Sequence, residues 1–305
     1  MLFLGWLIGL LFGAVLGGAV LVVLSLRIPV SFGPLYGLIG ALPLVATVVL
    51  IVLVYLAAYA LATVSLAPLL PAVTFPLTTP CLPPGCASVR IAPPPGERFG
   101  RGLLIGMTAG LNSVFLLLLP VGGLVLSVWA LVIVSLSTIT PLARNRTYQG
   151  FLGWTGWLLP VSYLATAVGL LLFVVNAPLA LAQGGLAAFR IDWTSGVIET
   201  AGGLVGLPIF AGRFLGFSLG NFNFLFAPGL QDSFFCCGLS SHEVGHTLNT
   251  AALGGVVLWI NAIDENILPG RMNFAYGELA AESHAQGLPP NPGARHKGFF
   301  ITLWG

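Results

Sequence analysis

The sequence predicts an all-α integral membrane protein, a bundle of about 5–6 transmembrane helices followed by a C-terminal helix that carries an HExxH motif. Three observations predict it. The 305 residues are 57% hydrophobic and 7% charged, against roughly 25% charged in soluble domains, so an ordinary water-facing surface cannot be built. Uncharged stretches longer than the ~20 residues needed to cross a bilayer recur through the first 182 positions, and in lipid their backbone must pair with itself as helix. Six of the nine acidic residues and all four histidines lie beyond position 230, where His242, Glu243 and His246 stand at helical spacing.

The same composition limits the partners. A net charge of +2 with no run of Lys or Arg gives no electrostatic footprint for nucleic acid, which leaves the lipid bilayer and a peptide or protein substrate. Cys81 and Cys86 share a Pro-rich segment where a disulfide could close, whereas Cys236 and Cys237 are adjacent and ill-placed to pair with each other. The expected location is integral to a cell or inner membrane. No basic segment precedes the first apolar run and no clear small-residue cleavage site follows it, so residues 2–26 are expected to be a retained span and not a signal peptide.

That first span carries Gly5, Gly9, Gly13 and Gly17 at four-residue spacing, a smooth ridge that another helix can approach closely. The ridge suits either a homo- or hetero-oligomer seam or packing within the chain, with the second preferred. A second apolar stretch runs from Leu35 to Leu66, tilted or broken near Pro43. Residues 67–101, with nine prolines and Arg90, Arg98 and Arg101, suit an extended connector. Leu103 to Thr140 is too long for one crossing and is expected to fold back near Pro120. This hairpin gathers Arg90, Arg98, Arg101, Arg144 and Arg146 on the side of the N-terminus, and the positive-inside rule makes that side cytoplasmic. Trp154 and Trp157 open the next span as interface anchors, and it is expected to end near Pro178. Two regions result: a transmembrane bundle over 1–182, and a membrane-associated region over 183–305 in which charge, glycine and shorter apolar runs mark the place for function.

His242-Glu243-Val244-Gly245-His246 is an HExxH match. Residues four apart lie one turn along the same helix face, so both imidazoles can reach one cation while Glu243 flanks an open coordination position. Zinc held in this way brings water to a pKa near 7, where a carboxylate can take its proton. Asn249 extends the histidine stripe by a turn, before Leu253 and Val256 continue it as apolar surface. A third protein ligand is needed. Glu278 is the first choice, from the helical pattern Tyr276 to His284, with Glu282 as its orienting partner or the ligand itself and His284 as competitor. Asp264 is a further alternative; with Glu265 it reads more simply as a polar turn closing an apolar helix.

His242-Glu243-x-Gly245-His246 followed by Glu278-x-x-x-Glu282 resembles the gluzincin class of zinc metallopeptidases. The resemblance implies His242, His246 and Glu278 as ligands of Zn2+ and Glu243 as general base; it departs from the class in having Glu282 where an aspartate is common. The motif beside apolar spans also resembles intramembrane metalloproteases, and Asn266-x-x-Pro269 echoes part of their second motif, without the Leu-Asp-Gly that should accompany it. The expected function is a membrane-embedded zinc metallopeptidase that cuts a peptide bond near the bilayer surface. The alternative is a non-enzymatic structural or accessory subunit of a membrane complex, with or without a structural metal.

Overall fold

The computed structural model describes residues 1–25, 95–143, 145–205, 216–225 and 239–266, together with Val49 and Leu53. The apolar stretch 35–66, nearly all of the Pro-rich connector, all four cysteines, and Glu278, Glu282 and His284 lie outside the described residues.

The helices are α1 (Leu2–Ser25), α2 (Pro95–Leu116), α3 (Gly123–Leu136), the single turn α4 (Thr140–Ala143), α5 (Arg146–Gly156), α6 (Tyr163–Gly184), α7 (Leu239–Leu253) and α8 (Gly255–Asn266). Between α6 and α7 stand four short strands, β1 (Phe189–Asp192), β2 (Val197–Ala201), β3 (Gly216–Leu219) and β4 (Phe222–Leu225), in the order β1-β2-β4-β3. The described chain is therefore mostly helical but not all-α. β1 and β2 pair antiparallel, β2 and β4 parallel, and β3 and β4 antiparallel around Gly220, whose φ of 61° supplies the corner.

Among the described residues three helices are long and apolar enough to cross a membrane, over Leu2–Val23, Phe99–Leu116 and Pro160–Ala188. They differ in what surrounds them. α2 is encased, with Leu104, Ile105, Met107, Ala109 and Leu111 fully buried, whereas α1 and α6 turn residues such as Phe3, Leu11, Leu171 and Val175 outward. On α6 only Ala165, Gly169, Asn176 and Ala180 are buried, one narrow stripe. Apolar side chains turned outward in this way are compatible with contact with lipid.

The glycine ridge of α1 packs on α2 of the same chain. A Cβ at Gly5, Gly9 or Gly13 would collide with the main chain at Phe99, Leu103 or Met107, and one at Gly102, Gly106 or Gly110 with the main chain of α1. Both helices thus give up side chains along the seam so that backbone meets backbone. Trp6 adds a hydrogen bond from Nε1 to Ser135 Oγ at 2.9 Å, tying α1 to α3 as well.

The expected fold-back near Pro120 is present, between α2 and α3. α3 has 14 residues, about 21 Å of helix, which is short of the ~30 Å hydrocarbon layer. Other boundaries moved. The connector does not reach residue 101, because Pro95 opens α2, where its missing N–H costs nothing. Arg101 is consequently buried, donating from Nη2 to Thr138 O at 2.9 Å. The span expected from Trp154 to Pro178 is two helices, since Leu159-Pro160 starts a new one, and Asn112 Oδ1 accepts from Val161 N across that break at 2.9 Å. Pro178 lies inside α6 and does not end it. Prolines are tolerated within apolar spans, where neighbouring groups take up the freed carbonyl.

The sheet lies flat along α6. Gly169 abuts Leu219 and Phe222, the Phe173 and Phe222 rings are 5.5 Å apart, and Asn176 donates to Thr200 Oγ1 at 3.1 Å. Its apolar face, with Ile198, Phe217, Leu219 and Phe222, therefore meets α6. The other face carries polar side chains and receives α7.

Candidate active site

Four polar residues line up across the sheet, one per strand: Arg190 is opposite Glu199, Glu199 opposite Asn223, and Asn223 opposite Ser218. Residues directly opposite one another point to the same face, so the alternation within each strand makes a continuous polar row. Glu199 and Asn223 are fully buried. Burial of a carboxylate demands a partner, and Glu199 has three: Arg190 Nε at 2.6 Å, Ser240 Oγ at 2.8 Å and Asn223 Nδ2 at 3.3 Å. The strands that carry Ser218, Asn223 and Glu199 lie beside Gly169 to Asn176, halfway along the third candidate span, and Arg190 ends the row on the edge strand β1.

α7 sits on this row through one face. Ser240 meets Glu199 and Arg190; Ser218 Oγ donates to Glu243, to Oε2 at 3.0 Å and to the main-chain carbonyl at 2.9 Å; Thr247 Oγ1 donates to Gly220 O at 2.8 Å. Positions 240, 243 and 247 have the i, i+3, i+7 spacing of one helix face. The opposite side of α7 enters the core of the bundle with Val244, Leu248, Ala251 and Ala252. Polar sheet on one side and apolar helices on the other hold the motif helix in a single rotation.

Glu243 is 2% exposed. Its Oε1 lies over the edge strand β3 at Gly216, where an added Cβ would come within 2.8 Å of it. Glycine is required here by space, since a side chain would displace the carboxylate. His246, half-buried, follows on the neighbouring stripe of α7, and Asn249 continues that stripe as a buried residue. His242 belongs to the same helix one turn earlier; of it the backbone is described. α7 ends at Gly254, whose φ of 91° breaks the helix before α8, and Asp264 lies in the last turn of α8.

Among the described residues no three His, Cys, Asp or Glu side chains come together as a metal group. The described members of the predicted set are Glu243, His246 and Asn249, with the backbone of His242 and Asp264; the His242 and Asp264 side chains, Glu278, Glu282 and His284 fall outside the described residues. Sequence reading missed Arg190, Glu199, Ser218 and Asn223. Their signal was the strict alternation Phe217-Ser218-Leu219, then Phe222-Asn223-Phe224, on either side of Gly220-Asn221, a two-residue hairpin pattern.

Beside the start of α7 is a cavity of about 500 Å³ lined by Arg146 and Gln149 of α5, Arg190 and Asp192 of β1, Thr194, Ser195 and Ser240. Burial pushes the Asp192 carboxyl up, but hydrogen bonds from Ser195 and Thr194 outweigh it and hold the group below its ordinary value. Burial draws the Arg146 guanidinium below its ordinary value, an effect opposed by the charge of Asp192.

No family model, curated protein or solved structure matches the chain.

Proposed function

We propose that the chain is an integral membrane protein and a zinc-dependent peptidase whose general base is Glu243. The observation that carries this reading is the placement of Glu243: a buried carboxylate in an HExxH helix, held by Ser218 from an edge strand, at a level where ionisable groups are costly. In an apolar chain such groups mark a functional site by default. The residues present are of the right kind for the metal. His242 and His246 stand one turn apart on one continuous helix, Glu278 is the proposed third ligand, and Glu282, His284, Asn249 and Asp264 are the alternatives, as ligand or as a residue that orients one.

Bound zinc would supply Lewis-acid polarisation of a carbonyl and a lowered pKa for water. The chain does the rest. Glu243 takes a proton from water as its oxygen attacks the scissile carbonyl, and returns it to the departing amine. Ser218 fixes the carboxylate through Oε2, and Gly216 leaves Oε1 its room. β3 is the outermost strand on its side of the sheet among the described residues, so an extended peptide added along it would bring its backbone past Glu243. With the polar row halfway along α6, the substrate class is a membrane-associated peptide segment.

Zinc content and cleavage of a membrane-anchored peptide reporter, measured on the purified full chain, test the reading. Glu243→Gln should keep the metal and lose at least about 10²-fold in cleavage, the usual worth of a general base. His246→Ala should lose the metal. Wild-type protein that takes up no zinc, or a Glu243→Gln variant that cleaves as fast as wild type, sinks the proposal.

A further inference from the structure

We infer that the cavity between α5, β1 and the start of α7 binds the phosphodiester headgroup of a membrane phospholipid. Among the described residues that line this cavity none is a proposed zinc ligand.

Two guanidinium groups reach the cavity from different elements, Arg190 from the edge strand β1 and Arg146 from the first turn of α5. Arg190 is pre-positioned. Glu199 accepts from its Nε and Ser240 from its Nη2, so the planar fork is fixed from behind, and Nη1 makes no hydrogen bond among the described residues. A fork held in this way recognises a phosphate through paired, charge-assisted hydrogen bonds with little loss of side-chain freedom.

Asp192 is the carboxylate among the lining residues. Thr194 N donates to it at 2.9 Å, and the hydroxyls of Thr194 and Ser195 close the same turn on it. Two cations with one ionised carboxylate do not suit an isolated multivalent anion as well as they suit a zwitterion, whose phosphate meets the arginines while its ammonium meets Asp192. The surroundings choose lipid over a soluble phosphate ester. Trp154 stacks on Trp193 at 6.1 Å beside the cavity, Trp154 Nε1 donates to Trp193 O at 2.9 Å, and Trp193 is 68% exposed. Ile191, which also lines the cavity, is exposed. Exposed tryptophan next to paired cations is the pattern of a bilayer interface, where rings sit among headgroups and acyl chains run along apolar surface.

The purified full chain in detergent is titrated with a short-chain phosphatidylethanolamine, retained lipid is counted by native mass spectrometry, and diacylglycerol and inorganic phosphate serve as separate arms. Wild type should retain the phospholipid and not diacylglycerol. Arg146→Gln removes an exposed cation and strands no buried carboxylate; it should weaken retention about tenfold, the worth of one charge-assisted contact. Arg190→Lys keeps a cation for Glu199 but gives up the fork, and should weaken retention similarly. Equal retention of diacylglycerol, or retention unchanged in both variants, overturns the inference. Inorganic phosphate that stabilises the protein against heat as strongly as the lipid does assigns the cavity to a soluble ligand and overturns it too.

Discussion

Ser218 and Gly216 stand two residues apart on β3 and act on opposite oxygens of one carboxylate, Ser218 by donating to Glu243 Oε2 and Gly216 by leaving space at Oε1. Gly216→Ala bears on the site first, because the new methyl would meet Glu243 Oε1 at 2.8 Å, ahead of Phe224 O at 3.1 Å and Leu225 Cδ2 at 3.2 Å. Cleavage of the reporter should fall on the order of 10²-fold, as expected for a reacting group displaced by about 1 Å. Zinc content and melting temperature should stay near wild type, and unchanged cleavage would remove Glu243 from the base role. Part of this site was legible in the sequence. His242, Glu243 and His246 announce themselves because helical spacing is local, and four residues suffice to place two rings on one face. Ser218, Asn223, Glu199 and Arg190 do not, because they become neighbours only through strand register, and nothing in Glu199 alone says that it will be opposite both Arg190 and Asn223.

At the scale of elements, backbone meets backbone at the seam of α1 on α2, and glycine spacing in the first segment foretold a helix that could be approached, while Gly102, Gly106 and Gly110 of its mate went unread. Gly106→Val tests it, since its β-carbon would strike the main chain at Trp6. Overpacking costs about 1–3 kcal/mol where neighbours can yield, and main chain yields least, so a loss at or above that range is expected in thermal unfolding of the purified protein. Gly18→Val is the control: nothing lies near a Cβ there, and it should melt close to wild type. The strands were harder to foresee than the helices for a physical reason. Each has only four or five residues, and in so apolar a chain a short alternating segment is submerged in the hydropathy of its neighbours. Helix limits failed at prolines. Pro160 begins a helix and Pro178 sits within one, and residue type alone does not separate the two roles.

For the whole molecule, the polar row, the motif helix and the sheet are gathered on one side of α6 while its other side stays apolar and outward. This division predicts where a charge is tolerated. Leu171 is 67% exposed near the middle of the third candidate span, and Leu171→Arg should cost roughly 2.5–3.5 kcal/mol of insertion free energy in a bilayer and almost nothing in water. The share of chain that resists alkaline extraction from membranes reads this directly. Leu186→Arg, at the end of the same span, should be extracted no more than wild type, because a long side chain there can reach the headgroups. Equal behaviour of the two variants would count against a lipid-facing α6. The seam of α1 and α2 also imposes an order on biosynthesis. The helix α1 emerges from the ribosome long before Phe99, Leu103 and Met107 are translated, so its bare glycine face waits without its mate. A nascent chain truncated ahead of α2 should therefore be a ready target for quality-control proteases, and its lifetime should lengthen once Leu116 has been made.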